Sequence, residues 1–201
     1  MTLTDTAGAI AFQGSTHATT LNTAAKGYSV AFTGATNVVD NAATFSNTGG
    51  VTLGGTTNTF TGGVTSTAST TTLNSTVRAN GAAIVLGATT LGGNSVLDTT
   101  NNGGVSAGAG ITAGAITGAG FTLGLNAGTG GAISGTSADN VGTLTLTNSG
   151  STTFSGARGP GTAGTVTLTD TAGASALQDR PPAAAPKTAA RGSRGRAPGG
   201  P

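Results

Sequence analysis

A stretch of eight residues near the start of this 201-residue chain returns letter for letter near its end. Residues 2–9 read TLTDTAGA, and residues 167–174 repeat that order without a change. A weaker match relates residues 144–148 to residues 166–170, a step of 22 positions. A step of about 20–25 residues is the size of one coil of a solenoid, in which each coil shares its core with the next. The repeats therefore predict a stack of short coils rather than a sandwich.

Local pattern predicts that the coils consist of strands. Apolar residues alternate with small or polar ones, which is the period of a strand with one buried face, at Val30–Phe32, Val51–Leu53, Leu144–Leu146 and Val166–Leu168. Glycine turns a tight corner without steric penalty, and glycine pairs interrupt the pattern at 49–50, 54–55, 62–63, 92–93, 103–104 and 130–131. With 37 glycines and no glutamate, the chain has little support for helices.

Composition limits how thick the core can be. Charged residues make up 7% of the chain and aromatic residues 3%, whereas charged residues are about 25% of a typical globular domain. A thin core shared between coils, and held by continuous backbone ladders, suits this supply of side chains. We therefore expect residues 1–179 to form an all-β domain, a right-handed parallel β-helix (β-solenoid) of roughly eight coils.

The end of the chain differs in composition from the rest. Residues 180–201 hold five of the eight basic residues, none of the six acidic ones and five of the six prolines. Their charge of +5 leaves residues 1–179 at −3 of the net +2. Pro, Ala, Gly and Arg cannot build a packed core, so we predict a disordered C-terminal tail. The abrupt start of the tail is also typical of sequence translated out of frame. The tail has no aromatic residue to stack on bases, so we do not expect it to bind nucleic acid.

Two features carry a resemblance to a family of large bacterial exoproteins. Residues 58–65, NTFTGGVT, look like the short repeat of autotransporter passenger domains. The Gly/Thr/Asn/Ala texture of residues 1–179 is similar to that of filamentous-haemagglutinin-type proteins. The resemblance implies a right-handed parallel β-helix, export across the outer membrane and, often, a role in adhesion. It does not extend to a secretion module or a translocation barrel, and residues 1–5 do not read as a signal peptide, so the chain is interpreted as a fragment.

These features predict a structural stalk or repeat module of an adhesin-like protein, without catalytic activity of its own. The parent protein is expected outside the cell or on the outer-membrane surface. The expected partners are the flanking repeats of that parent and a host-surface or cell-surface ligand, with no cofactor and no nucleic acid. A solenoid exposes open sheet edges at its ends, so end-to-end self-association is expected as well.

No set of residues in the sequence specifies a catalytic, cofactor-binding or metal site. His17 is the only histidine and is expected on an exposed turn or as an outward strand residue. All six acids are aspartates that lie far apart in sequence: Asp5, Asp40, Asp98, Asp139, Asp170 and Asp179. A polysaccharide-acting β-helix enzyme is the first alternative, and it requires such acids to converge across one bond. The absence of cysteine excludes disulfides and thiolate metal ligands.

A hydroxyl-array surface binder, similar to an ice-binding solenoid, is the second alternative. Hydroxyls two residues apart share one face of a strand, about 6.6–7 Å apart, and such threonines occur in residues 2–4, 57–59, 65–67, 70–72 and 143–147. Stacked asparagines are expected to form amide ladders, with candidates at Asn22, Asn47, Asn58, Asn74 and Asn126. The glycine-rich segments 108–110 and 118–124 miss the spacing of a phosphate-binding loop.

Overall fold

The computed structural model describes residues 1–4, 7–155, 165–169, 173 and 175–177. Within these ranges the named elements are all strands that pair in parallel and stack as a β-solenoid, which confirms the predicted all-β fold class. None of the described residues forms a helix that could cross a bilayer. The tail predicted to be disordered, residues 180–201, lies outside the described residues.

The strands form three faces. Face 1 contains β1 (Thr2–Leu3), β4 (Asn22–Thr23), β7 (Ala43–Phe45), β10 (Val64–Ser66), β13 (Ile84–Leu86), the first halves of β16 (Ile111–Thr117) and β18 (Ala132–Asp139), β20 (Ser151–Phe154) and β22 (Ser175–Leu177). Face 2 contains β2 (Ala9–Phe12), β5 (Ser29–Phe32), β8 (Val51–Leu53), β11 (Thr71–Leu73), β14 (Thr89–Leu91) and the second halves of β16 and β18. Face 3 contains β3 (Thr16–Ala18), β6 (Thr36–Val39), β9 (Thr57–Phe60), β12 (Thr76–Arg78), β15 (Ser95–Asp98), β17 (Thr122–Asn126), β19 (Thr143–Asn148) and β21 (Thr165–Leu168).

Each coil visits the three faces once, and the strands from β1 to β19 complete about seven coils. Leu144 pairs with Val166 in the next coil, so the 22-residue step found in the sequence is the number of residues in one coil. One coil is longer than its neighbours. Val85 pairs with Thr65 on one side, a step of 20 residues, and with Thr112 on the other, a step of 27 residues. The extra residues lie between β15 and β16, in a segment from 99 to 110 that we name the inserted loop.

The core is a set of inward columns in which the same kind of side chain recurs from coil to coil. On Face 2 the ring of Phe12 stacks on Phe32, with 4.8 Å between centroids, and Leu53 and Leu73 continue that column. Phe60 meets Phe32 edge to face from the opposite side of the coil. Inward residues of the interior coils are buried by the coil above and the coil below, whereas Ile10 and Phe12 of the first coil are partly buried. The thin core expected from composition is therefore continuous from coil to coil.

A buried amide ladder crosses three coils on the inner side of Face 3. The Nδ2 of Asn37 donates to the Oδ1 of Asn58 (3.0 Å), and the Nδ2 of Asn58 donates to the Oγ of Ser75 (2.9 Å). The Ser75 hydroxyl in turn donates to the Leu53 carbonyl (2.8 Å). This confirms the expected ladder for Asn58. Asn47, another of the candidates, instead ties a corner by donating to the carbonyls of Tyr28 and Gly50.

Stacked glycines form the corner between Faces 2 and 3. Gly55 has φ of +73°, and a Cβ there would overlap the carbonyl oxygen of Gly34 in the preceding coil. Gly34 has the same relation to Gly14. The corner therefore needs glycine for close approach of backbones and, at Gly55, for the left-handed conformation as well.

Candidate functional site

His17 lies on the outer side of Face 3, as the sequence predicts, and it has an acidic neighbour. Its Nε2 is 3.0 and 3.1 Å from the two carboxylate oxygens of Asp40. The side chains are 69% and 42% exposed, and an ion pair this open to water contributes little to stability. The pairing arises because His17 on β3 is in register with Val38 on β6, two residues before Asp40.

The other described aspartates lie apart from this pair. Asp98 is at the end of β15 on Face 3, and Asp139 is at the end of β18, where Ser137 donates to it (3.2 Å). No three His, Cys, Asp or Glu side chains converge as metal ligands in the described part of the chain. Three further candidates, Asp5, Asp170 and Asp179, lie outside the described residues.

The outward threonines stack in columns, mostly one to a face, but two columns run side by side at the end of Face 3. There Thr143 is in register with Thr122 and Thr165, and Thr145 is in register with Thr167. On Face 2 four of them are in register: Thr52, Thr72, Thr90 and Thr117. Thr57 and Thr59 form an outward pair on β9, but Thr59 is flanked by Val38 in one coil and by Arg78 in the next. The hydroxyl pair at 57–59 therefore does not extend into its neighbouring coils as a flat two-column array.

An open cleft of about 480 Å³ is present on Face 3, beside the inserted loop. Thr76 and Arg78 of β12 line one side, and Asn102 and Gly103 of the inserted loop line another. The loop carries three consecutive residues with positive φ, from Asn101 to Gly103. Asn102 and Gly103 of the inserted loop form one wall of the cleft.

Two irregularities of the sheet shape the far side of the cleft. Leu125 pairs with Leu146 but Asn126 pairs with Asn148, so Thr147 is the extra residue of a β-bulge, and it lines the cleft. Bulges change the direction of a side chain and are common next to binding sites. On β17, two residues before Asn126, Gly124 is in register with Val96, in a column where other coils have Thr76 and Thr145. The missing side chain leaves Val96 38% exposed as the floor of the cleft.

The inserted loop is held by one carboxylate. Asp98 Oδ1 accepts from the backbone N–H (2.8 Å) and the hydroxyl (2.6 Å) of Thr100, and its Oδ2 accepts from the Asn102 N–H (2.7 Å). These bonds and the loop leave the Asp98 side chain only 7% exposed. Asn126, next in the column, donates to the Thr100 hydroxyl (3.2 Å). The carboxylate thus organises the loop rather than facing solvent.

Arg78 is the cation of the cleft, and its hydrogen bonding is incomplete. Its Nη2 donates to Asn102 Oδ1 at 3.5 Å, and its Nε lies 3.9 Å from Asp98 Oδ2, too far for a hydrogen bond. The Nε is buried and has no hydrogen-bond partner. A guanidinium has five N–H donors, so most of its donor capacity faces the cleft or water.

Sequence reasoning named Asp98 and Asn126 but did not bring them together or single out Arg78. The usable signal was the spacing. Coils of about 20 residues leave a surplus in the segment after Asp98, and a surplus in a solenoid forms a loop on the surface. Which outward residues that loop covers depends on the register of three coils, which the sequence pattern alone did not define.

Comparison with known protein families, curated proteins and solved structures identifies no related protein. No family model, no curated protein and no solved structure matches the chain.

Proposed function

We propose that this chain is a structural stalk or repeat module of a bacterial secreted or surface-exposed protein of the adhesin type, without catalytic activity of its own. The observation that carries the proposal is the continuous parallel ladder from coil to coil, which β16 and β18 extend across a corner by pairing along Faces 1 and 2 together. Such a ladder holds successive coils at a fixed spacing along one axis. The resemblance of residues 58–65 to autotransporter passenger repeats supports a location outside the cell.

The buried polar groups support a rigid spacer. The amide ladder of Asn37 and Asn58 is fully enclosed, and buried Ser66 and Thr71 bond to each other across a corner (2.7 Å). A buried polar group without its partner costs about 1–3 kcal/mol, so a shift of one coil against the next is penalised at each such contact. These contacts fix the register of neighbouring coils.

The acid geometry does not favour the enzyme alternative. Asp40 follows β6 and Asp98 ends β15, and the register of Face 3 places them three coils apart, about 14 Å. The two acids of a glycoside hydrolase are about 5–9.5 Å apart. His17 contacts Asp40 and lies on β3, four coils from Asp98.

Pulsed electron paramagnetic resonance tests the stalk. The chain has no cysteine, so nitroxide labels react only at two introduced sites, Thr36→Cys and Thr145→Cys, which occupy one outward column five coils apart. A rigid solenoid gives one narrow distance distribution near the backbone separation of about 24 Å plus the label arms. The same sample in denaturant gives the broad reference distribution.

Two results would count against the stalk. A broad distribution in native buffer shows that the coils do not hold a fixed length. Release of oligosaccharides when the chain is incubated with acidic and neutral polysaccharides indicates an enzyme instead. Single-label samples control for association between chains.

A further inference from the structure

We propose that the cleft beside the inserted loop binds a small carboxylate that also carries hydroxyl groups, such as a sugar acid. The site is built from four departures from a regular solenoid on one face: the inserted loop, the bulge at Thr147, the bare position at Gly124 and the under-bonded Arg78. A plain stalk requires none of them. Their convergence on one cleft of about 480 Å³, within the usual size of a small-molecule site, points to a ligand.

Arg78 supplies recognition of the carboxylate. Its planar fork of donors matches the two oxygens of a carboxylate, and charge-assisted bonds of this kind are about twice as strong as neutral ones. The side chain is 31% exposed, so a ligand in the cleft can reach it. The Nε is buried, so a ligand oxygen reaches it only if the side chain moves. In the observed conformation, recognition of the carboxylate falls to the terminal nitrogens of the guanidinium.

Asp98 does not block an anion from this position. Three short hydrogen bonds from Thr100 and Asn102 already occupy its oxygens, and its side chain is buried by the loop. Hydrogen bonds from backbone amides disperse the negative charge of a carboxylate. At 3.9 Å from Arg78 Nε the carboxylate pairs with the guanidinium charge without a hydrogen bond, so it does not use the guanidinium donors that a ligand carboxylate needs.

The rest of the lining fits a hydroxylated body. Thr76 and Thr147 offer hydroxyl groups, and Asn102 and Asn126 add amide groups to the lining. Val96 offers an apolar floor against which the C–H side of a ring or chain can pack. The cleft lining includes no aromatic residue, so a flat aromatic acid has no stacking partner there. The chemistry favours a polyhydroxylated acid over an aromatic one.

The loop is held in the shape the cleft needs before any ligand arrives. Asn101 and Asn102 have φ of +52° and +59°, a conformation that costs energy for residues with a side chain. The bonds to Asp98 and the bond from the Gly103 N–H to Thr100 (3.0 Å) maintain it. A preorganised wall lowers the ordering cost of binding.

Nuclear magnetic resonance on the isotope-labelled full chain tests the site with three probes: glucuronate, glucose and acetate. Glucuronate carries both features, glucose only the hydroxyls and acetate only the carboxylate. We expect glucuronate to shift the Arg78 Nε–H signal and the amide signals of Gly103 and Gly124 in a saturable way. Glucose and acetate should each bind at least about tenfold more weakly, since each lacks one set of hydrogen bonds.

Two variants define the residues. Arg78→Gln should weaken glucuronate binding about tenfold or more, while Lys26→Gln removes the same charge from an exposed site elsewhere and should leave it unchanged. Gly124→Thr places a side chain against Val96, the floor of the cleft, and introduces the residue that the next coil has at Thr145. It does not alter the charge and should weaken all binding. The dispersion of the spectrum shows whether each variant is folded. If Arg78→Gln does not fold, Gly124→Thr still tests the site.

The proposal is overturned by any of four results. Acetate binding as tightly as glucuronate reveals a bare anion site, and glucose binding as tightly shows that the carboxylate is irrelevant. Unchanged binding in folded Arg78→Gln removes the assigned contact. No saturable shift with any probe shows that the cleft is only a surface irregularity.

Discussion

Gly135 lies directly beneath the ring of Phe154 in the inward column of Face 1, where the two residues pair between β18 and β20. A Cβ at Gly135 would overlap the ring edge of Phe154, which is itself buried. The φ of Gly135 is not in the left-handed region, so space alone requires glycine here. In this column the absence of a side chain at Gly135 gives room to the Phe154 ring of the next coil.

We predict that Gly135→Ala destabilises the solenoid by about 1–3 kcal/mol, because the added methyl group forces the Phe154 ring or its strand to move. Chemical denaturation followed by circular dichroism measures the change. Phe154→Leu in the Gly135→Ala background should recover part of the loss, and the double-mutant cycle gives the coupling between the two positions.

Gly27→Ala is the matched control for this substitution. A Cβ at Gly27 meets no atom within 4 Å, and the residue does not have a positive φ. The control should be neutral or slightly stabilising, because alanine restricts the unfolded chain. Equal effects at Gly135 and Gly27 would show that backbone freedom, not the Phe154 ring, explains the glycine.

At the scale of strands and corners, the exact eight-residue repeat predicts a local structure but does not relate equivalent places in the solenoid. Thr2 and Leu3 form β1 on Face 1, whereas the identical letters at Thr167 and Leu168 belong to β21 on Face 3. Each copy begins with strand residues, because a strand is the structure that its first letters favour. The interval between identical segments is therefore not a whole number of coils.

The local nature of these patterns explains how much of the fold could be predicted from the sequence. The alternation of a strand and the glycine pairs depend only on residues close in sequence. The strands Val30–Phe32, Val51–Leu53 and Leu144–Leu146 are therefore where the pattern predicted them. The coil step was also predictable, since stacking in register relates residues one coil apart. The cleft was not predictable from the sequence, because Arg78, Asp98 and Asn126 come together only through the register of three successive coils.

Deleting residues 100–106 should restore a regular coil and remove the cleft. The deletion leaves five residues between β15 and β16, as many as between β12 and β13, and it keeps Gly108 where that shorter corner has Gly81. Both glycines have positive φ, +59° and +67°. Because loop length affects stability only slowly, we expect the strand signal and the thermal midpoint to change little. Glucuronate should no longer shift the Arg78 Nε–H signal.

A length-matched deletion of residues 84–90 is the control, since it removes β13 and shifts the register of the core. It should abolish the cooperative unfolding transition seen by circular dichroism. If the loop deletion behaves like this control, the inserted loop is a structural requirement of the solenoid and not an addition to it.

At the scale of the whole molecule, the first coil presents an open edge. Among the described strands, β1, β2 and β3 pair on one side only. Ser29 donates to the Gly8 carbonyl (2.9 Å) and Thr33 to the Phe12 carbonyl (2.9 Å), so the even-numbered residues of β2 bond to the second coil. Alternate residues of a parallel strand bond to opposite neighbours. The N–H and C=O groups of Ala9 and Ala11 therefore face outward along the solenoid axis, where a second chain can pair with them.

We expect the 201-residue chain to associate end to end at micromolar concentration, and Ala11→Pro to reduce that association without loss of stability. Proline removes the outward N–H of Ala11 and is tolerated on an edge strand, where that group has no ladder partner. Ala31→Pro, one coil further in register, removes a hydrogen bond inside the ladder and should lower the melting temperature instead. Light scattering after size exclusion, at several concentrations, separates the two effects. If the unmodified chain stays monomeric at high concentration, or if Ala11→Pro leaves its association unchanged, this edge is not the contact.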